Sequence, residues 1–129
     1  MSIEHTHVAQ WARGNENRSG RRAITVDAEK NFEVSVPGGT TDMQVNINID
    51  VSMLKSLFLK TTNEDITLKT NDTVTPGNTL TLKADQGENW HDELNAACPL
   101  TVDVTTVYLT NAGTKAATVS LFACVDATP

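Results

Sequence analysis

The sequence predicts an all-β chain, an antiparallel two-sheet β-sandwich of jelly-roll or immunoglobulin-like type with an extended N-terminal arm. Three observations predict it. Among 129 residues there are 19 threonines, 12 valines and 5 isoleucines, side chains that suit a pleated surface and lose χ1 freedom in helices. Apolar and polar residues alternate through two long runs, 43–51 and 117–125. Turn residues punctuate the chain about every 8–12 positions, with no long amphipathic stretch between them.

Residues 1–22 stand apart from this pattern. The segment WARGNENRSGRR shows no apolar period of 2 or 3.6, so 1–22 reads as an arm or loop and 23–129 as the sandwich domain. Ile3, Val8 and Trp11 are its possible anchors. Two alternating runs follow, 23–28 (AITVDA) and 32–36 (FEVSV), before Pro37-Gly38-Gly39 breaks the chain. In the run 43–51, Met43, Val45, Ile47, Ile49 and Val51 share one face, and Gln44, Asn46, Asn48 and Asp50 the other. Residues 57–61 and 66–70 flank Asn63-Glu64-Asp65, a hairpin by composition. Pro76-Gly77 leads into a strand at 79–84. Residues 100–110 (LTVDVTTVYLT) alternate again, and Thr105-Thr106 shifts the apolar register as a bulge would. Asn111-Ala112-Gly113 turns the chain into the last strand, where Ala117, Val119, Leu121, Ala123 and Val125 share a face. Short helical turns are possible at 53–58 and 92–97.

The charge is unevenly spread. All four arginines, Arg13, Arg18, Arg21 and Arg22, fall within ten residues, and the net charge of −6 divides into +1 over residues 1–30 and −7 over the remaining 99. An acidic body repels nucleic acid, so no direct nucleic-acid partner is expected. No run approaches the roughly 20 apolar residues of a membrane span, so no membrane partner is expected either. The start MSIEHTHVAQ lacks the basic, then apolar, pattern of a secretory signal, which suggests synthesis in a reducing cytoplasm.

Few residues suggest chemistry. Ser52-Met53-Leu54-Lys55 matches Ser-x-x-Lys, but the partner motifs of that enzyme class are missing and the match reads as chance. His5, His7 and the His91-Asp92-Glu93 run carry competent metal ligands, yet nothing in their spacing shows convergence, and surface histidines are the simpler reading. No metal, cofactor or catalytic set is therefore assigned. Cys98 and Cys124 lack Cys-x-x-Cys spacing and are expected to be unlinked thiols. The sequons Asn17-Arg18-Ser19 and Asn71-Asp72-Thr73 carry no weight without a secretory signal. The arginine cluster could touch phosphate, stay solvated, or dock on an acidic protein surface, where the guanidinium fork pairs well with carboxylates.

Residues 57–124 carry a family resemblance. The order LFLKTTNEDITLKTND, PGNTLTLKADQGENW, PLTVDVTTVYLTNAGTKAATVSLF resembles small decoration, or cement, proteins of tailed-bacteriophage heads. The resemblance covers about half the chain and rests on strand-and-turn patterns. It implies a non-enzymatic virion protein on the capsid surface, made in the host cytoplasm, whose partner is the assembled major capsid protein. A homo-oligomer, specifically a trimer, is implied in the same way. Trp11, Arg13, Arg18, Arg21 and Arg22 are then the expected capsid-binding residues. Two other classes stay open. A carbohydrate-binding or host-adhesion sandwich needs several exposed aromatics. A double-stranded β-helix enzyme needs a histidine-rich facial set, and three histidines are few.

Overall fold

The computed structural model describes residues 3–13, 16–26, 28–92 and 97–126; within the first two strands it describes the side chains of Glu4, Thr6 and His7. Ten strands run in order: β1 (Ile3–Arg13), β2 (Glu16–Val26), β3 (Ala28–Val36), β4 (Thr40–Ile49), β5 (Leu54–Thr61), β6 (Ile66–Thr70), β7 (Thr79–Leu82), β8 (Gly87–His91), β9 (Val104–Asn111) and β10 (Ala117–Val125). A single 3-10 turn, Val51–Met53, is the one helical element among the described residues.

Two four-stranded antiparallel sheets form a β-sandwich, with strand orders β3-β10-β5-β8 and β4-β9-β6-β7. Alternation decides which residues fill it. Every second residue of β10 from Ala117 to Val125 is buried, and so are Ile66, Leu68 and Thr70 of β6. Leu57, Leu59 and Leu121 of one sheet share a core with Leu68, Val107 and Leu109 of the other. Fully burying such a side chain contributes about 1.5–3 kcal/mol, and Ile49, Ile66, Leu82 and Val119 are buried in the same cluster.

Residues 1–22 are not an isolated arm. β1 and β2 pair antiparallel from Ile3↔Val26 to Arg13↔Glu16, forming a two-stranded ribbon. The run at 23–28 accordingly divides: residues 23–26 end the ribbon, and Ala28 opens the sandwich. The sequence hides this ribbon because polar residues on both strands, with Gly20 on β2, erase the alternation, while backbone pairing requires none.

Three further expectations change. Asn63-Glu64-Asp65 does not close a hairpin: β5 pairs with β10 and β8, and β6 with β9 and β7, so the turn crosses between sheets. Turn residues reverse the chain but do not choose its neighbour. The helical turn proposed at 53–58 lies earlier, at Val51–Met53, because Asp50 caps it; from Leu54 the chain is a strand. The last long run starts at Val104 rather than Leu100. The turn at 92–97 falls mostly outside the described residues. Strand β8 carries no apolar alternation at all in Gly-Glu-Asn-Trp-His, and only its pairing with β5 defines it.

The register shift at Thr105-Thr106 is present. Burial passes from Val104 to Val107 with both threonines outside the core, and the β4 pairing slips opposite them, between Asn46 and Ile49. Asn71 fills the gap. Its Oδ1 accepts from Thr105 N (2.9 Å) and Thr105 Oγ1 (3.2 Å), while its Nδ2 donates to Asp103 O (2.8 Å).

Asn111 closes the far end of the sandwich. It is fully buried, and its Nδ2 donates to Val36 O (3.0 Å) and Lys115 O (2.8 Å) while Oδ1 accepts from Gly113 N (3.0 Å). One amide thus joins the end of β3, the end of β9 and the turn before β10. Leaving a buried carbonyl without its donor costs about 1–3 kcal/mol, so Asn111→Ala is expected to lower stability by about 2–4 kcal/mol in urea unfolding. A loss below about 0.5 kcal/mol, the range of ordinary surface changes, would contradict that role.

Two exposed carboxylates set an acid limit. Asp65 accepts from Ala84 N (2.8 Å) and Lys83 Nζ (3.3 Å), and Asp72 from Val74 N (3.2 Å) and Thr75 Oγ1 (2.9 Å). These bonds hold both pKa values below the ordinary 3.8. A lowered folded pKa means the contribution is complete above the unfolded value and is lost as pH falls through the folded one. Unfolding midpoints should therefore fall as the solution is acidified below pH 3.8, and Asp65→Asn should flatten that fall.

Candidate functional site

The outer face of the β3-β10-β5-β8 sheet is organised in cross-strand rows. Glu29, Cys124, Ser56 and His91 stand abreast; Asn31, Phe122, Phe58 and Asn89 form the next row; Glu33, Ser120, Lys60 and Gly87 the third. The third row is ordinary polar surface, with Ser120 Oγ donating to Glu33 Oε2 (3.2 Å). The other two are not.

In the first row Cys124 and Ser56 are fully buried although they face away from the core. β1 reaches Ser56. His7 Nε2 lies 2.5 Å from Ser56 Oγ, and the His7 ring centroid lies 5.0 Å from that of His91, tilted by 53°. His7 and His91 are themselves buried, and His91 Nδ1 has no hydrogen-bond partner among the described residues. The two imidazoles, 84 positions apart in sequence, therefore meet under the ribbon. A serine and a histidine at this distance have the reach of a nucleophile and its base. Full burial of Ser56 instead makes the contact a clamp between β1 and β5.

In the second row two half-buried phenylalanines, Phe58 and Phe122, stand 6.4 Å apart between centroids, tilted by 34°. The Phe58 ring lies over Gly87: a Cβ there would sit 2.9 Å from Phe58 Cε1. Between these rings and the ribbon lies a groove of about 540 Å³, lined by Glu4, Thr6 and His7 of β1 and, at the two opposite edges of the sheet, by Glu29 of β3 and Asn89 of β8. Among the described side chains that line it, the carboxylates are those of Glu4 and Glu29.

The five residues expected from the sequence all lie on the ribbon. Trp11 pairs with Arg18, Arg13 with Glu16, Arg21 with Val8 and Arg22 with His7. Their side chains lie outside the described residues, as do those of Ile3, Val8 and His5. The Ser52 of Ser-x-x-Lys is a turn cap: its N and Oγ both donate to Asp50 Oδ1, at 3.0 and 2.6 Å. Asn71 of the second sequon is the bulge plug described above. Among the described residues no group of three or more His, Cys, Asp or Glu side chains could hold a metal ion. Sequence reasoning missed the Asn31–Phe122–Phe58–Asn89 row. Its signal was an aromatic residue on the polar side of two alternating strands, in LFLK and LFAC; only pairing reveals that the two meet.

No protein-family model, curated protein or solved structure matches the chain.

Cys98 and Cys124 are free thiols. Burial, and then the charge of Glu29 beside it, pushes the Cys124 thiol up to about 12, and burial also raises Cys98. Alkylation proceeds through the thiolate. In the folded protein Cys98 should therefore react before Cys124 at pH 8, and both should react after denaturation. Equal native rates would contradict the packing of Cys124.

Proposed function

We infer that this chain is a non-enzymatic structural protein of a phage virion, a head decoration or cement protein of jelly-roll type that binds assembled major capsid protein. The observation that carries this reading is the nesting of its strand pairs. β3 pairs with β10, β4 with β9, β5 with β8 and β6 with β7, so the chain folds back between β6 and β7 and rolls into two sheets. That nesting supports a jelly roll over an immunoglobulin-like sandwich, in which strands adjacent in sequence pair within one sheet more often. Jelly rolls recur in viral capsid proteins and in lectins, which agrees with the decoration-protein resemblance of residues 57–124.

The ribbon supplies the attachment. It is clamped at His7, and six residues of each strand, roughly 20 Å of ribbon, lie beyond that clamp. That distal segment carries Trp11, Arg13, Arg18 and Arg21, with Arg22 opposite His7 at the clamp. An isolated two-stranded ribbon is marginal in water, so a partner surface that covers it adds stability. The acidic body disfavours nucleic acid and leaves protein carboxylates as the partners of the arginines. Decoration proteins of this kind act as homo-oligomers, and a trimer on the outer face of the head is the reading for this one.

Replacing residues 9–20 by Asn-Gly would retain the His7 clamp and close a two-residue hairpin. The variant should unfold at the same temperature as the parent yet bind assembled capsids at least tenfold more weakly in co-sedimentation. Salt should weaken the parent's binding only in part, because apolar burial of Trp11 is not screened. Equal capsid binding by the variant, or preference of the parent for DNA over shells, would overturn the reading.

A further inference from the structure

We propose that the groove between the ribbon and the β3-β10-β5-β8 sheet binds a short neutral saccharide, with Phe58 and Phe122 as its stacking platform. The site is separate from the capsid-binding segment, which lies beyond His7, so either reading can stand without the other. The groove's volume of about 540 Å³ falls within the range of small-ligand sites, about 300–1,000 Å³.

The chemistry of the walls selects the ligand. A pyranose ring has an apolar face of axial C–H groups and a rim of hydroxyls that both donate and accept. The floor offers two phenyl rings whose half-exposed faces suit that apolar side. The rim of the groove offers matching polar groups. The exposed Asn89 amide makes no hydrogen bond within the described residues, so its donor and acceptor both face solvent. Glu4 accepts one long bond from Thr6 Oγ1 (3.3 Å) and keeps acceptor capacity for hydroxyl donors. Phe58 and Asn89 are cross-strand partners, so a hydrogen-bonding amide stands beside the ring and within reach of the hydroxyls of a sugar stacked there.

Other occupants fit less well. Glu4 and Glu29 repel uronic acids, sialic acids and phosphates. The floor is a sheet face whose backbone groups are already paired, so no peptide can add as a strand. An arginine-bearing segment of a second copy is the one competitor that charge allows, and the test includes it.

The experiment is a titration of the full chain, read by calorimetry and by backbone amide NMR shifts. The probes are cellobiose, chitobiose, lactose, a glucuronic-acid-containing disaccharide, and a peptide of residues 9–20. At least one neutral disaccharide should bind with a Kd of about 1 mM or tighter and shift the amides of Phe58, Asn89 and Phe122. The acidic disaccharide should bind at least tenfold more weakly. Asn89→Ala, which touches no core residue, and Phe122→Leu, which keeps an apolar side chain, should each weaken binding at least tenfold, whereas Lys60→Ala should not. The proposal is overturned if no neutral disaccharide shifts these amides by about 50 mM, well above that Kd, or if the shifts fall elsewhere. It is equally overturned if the acidic sugar binds as well, or if the peptide alone occupies the groove.

Discussion

Among the described side chains, the N-terminal ribbon is tied to the sandwich by the His7 imidazole, held between Ser56 and His91. β2 and β3 follow one another closely in the chain, but that link fixes only where the ribbon starts. His7 fixes where it goes. Ser56 faces outward from a sheet whose other face is core, and without His7 its hydroxyl would be solvated surface. With His7 in place the hydroxyl is fully buried, and the same cover accounts for an outward-facing row in which Cys124, Ser56 and His91 are all buried. Removing one partner of such a buried pair costs more than the pair contributes, which makes the contact a sensitive point.

From that clamp two separate surfaces follow. On the near side the ribbon stands over Phe58 and Phe122 and leaves a groove rather than closing on the rings. On the far side a length of ribbon remains that carries the arginines and Trp11. The sandwich beneath holds both in place. Its two sheets share one core, and Asn111 ties their ends through three bonds.

Much of the sandwich was legible in the sequence because alternation is a local property. The strands β6 and β10 were read residue for residue, β4 was placed three residues late at its start and two at its end, and the slip at Thr105-Thr106 was visible as a change of period. What stayed hidden was pairing. Asn63-Glu64-Asp65 has hairpin chemistry, yet it joins strands of different sheets, since a turn constrains direction and not neighbours. The ribbon and β8 are defined by backbone bonds and carry almost no apolar pattern. The candidate site was missed for the same reason. His7 meets His91, and Phe58 meets Phe122, only through tertiary register, and each pair spans more than sixty positions. The arginine cluster, by contrast, was plain from composition alone.

The most direct measurement is a nuclear Overhauser spectrum of the histidine ring protons, with His5→Gln used to assign them. Ring centroids 5.0 Å apart place protons of His7 and His91 within range of a cross-peak, and a His7–His91 cross-peak is the expected result. It should vanish in Ser56→Ala if the clamp needs the hydroxyl. A spectrum in which His7 shows no contact with His91, and has the sharp shifts of a solvated imidazole, would contradict the account and remove the wall of the groove with it.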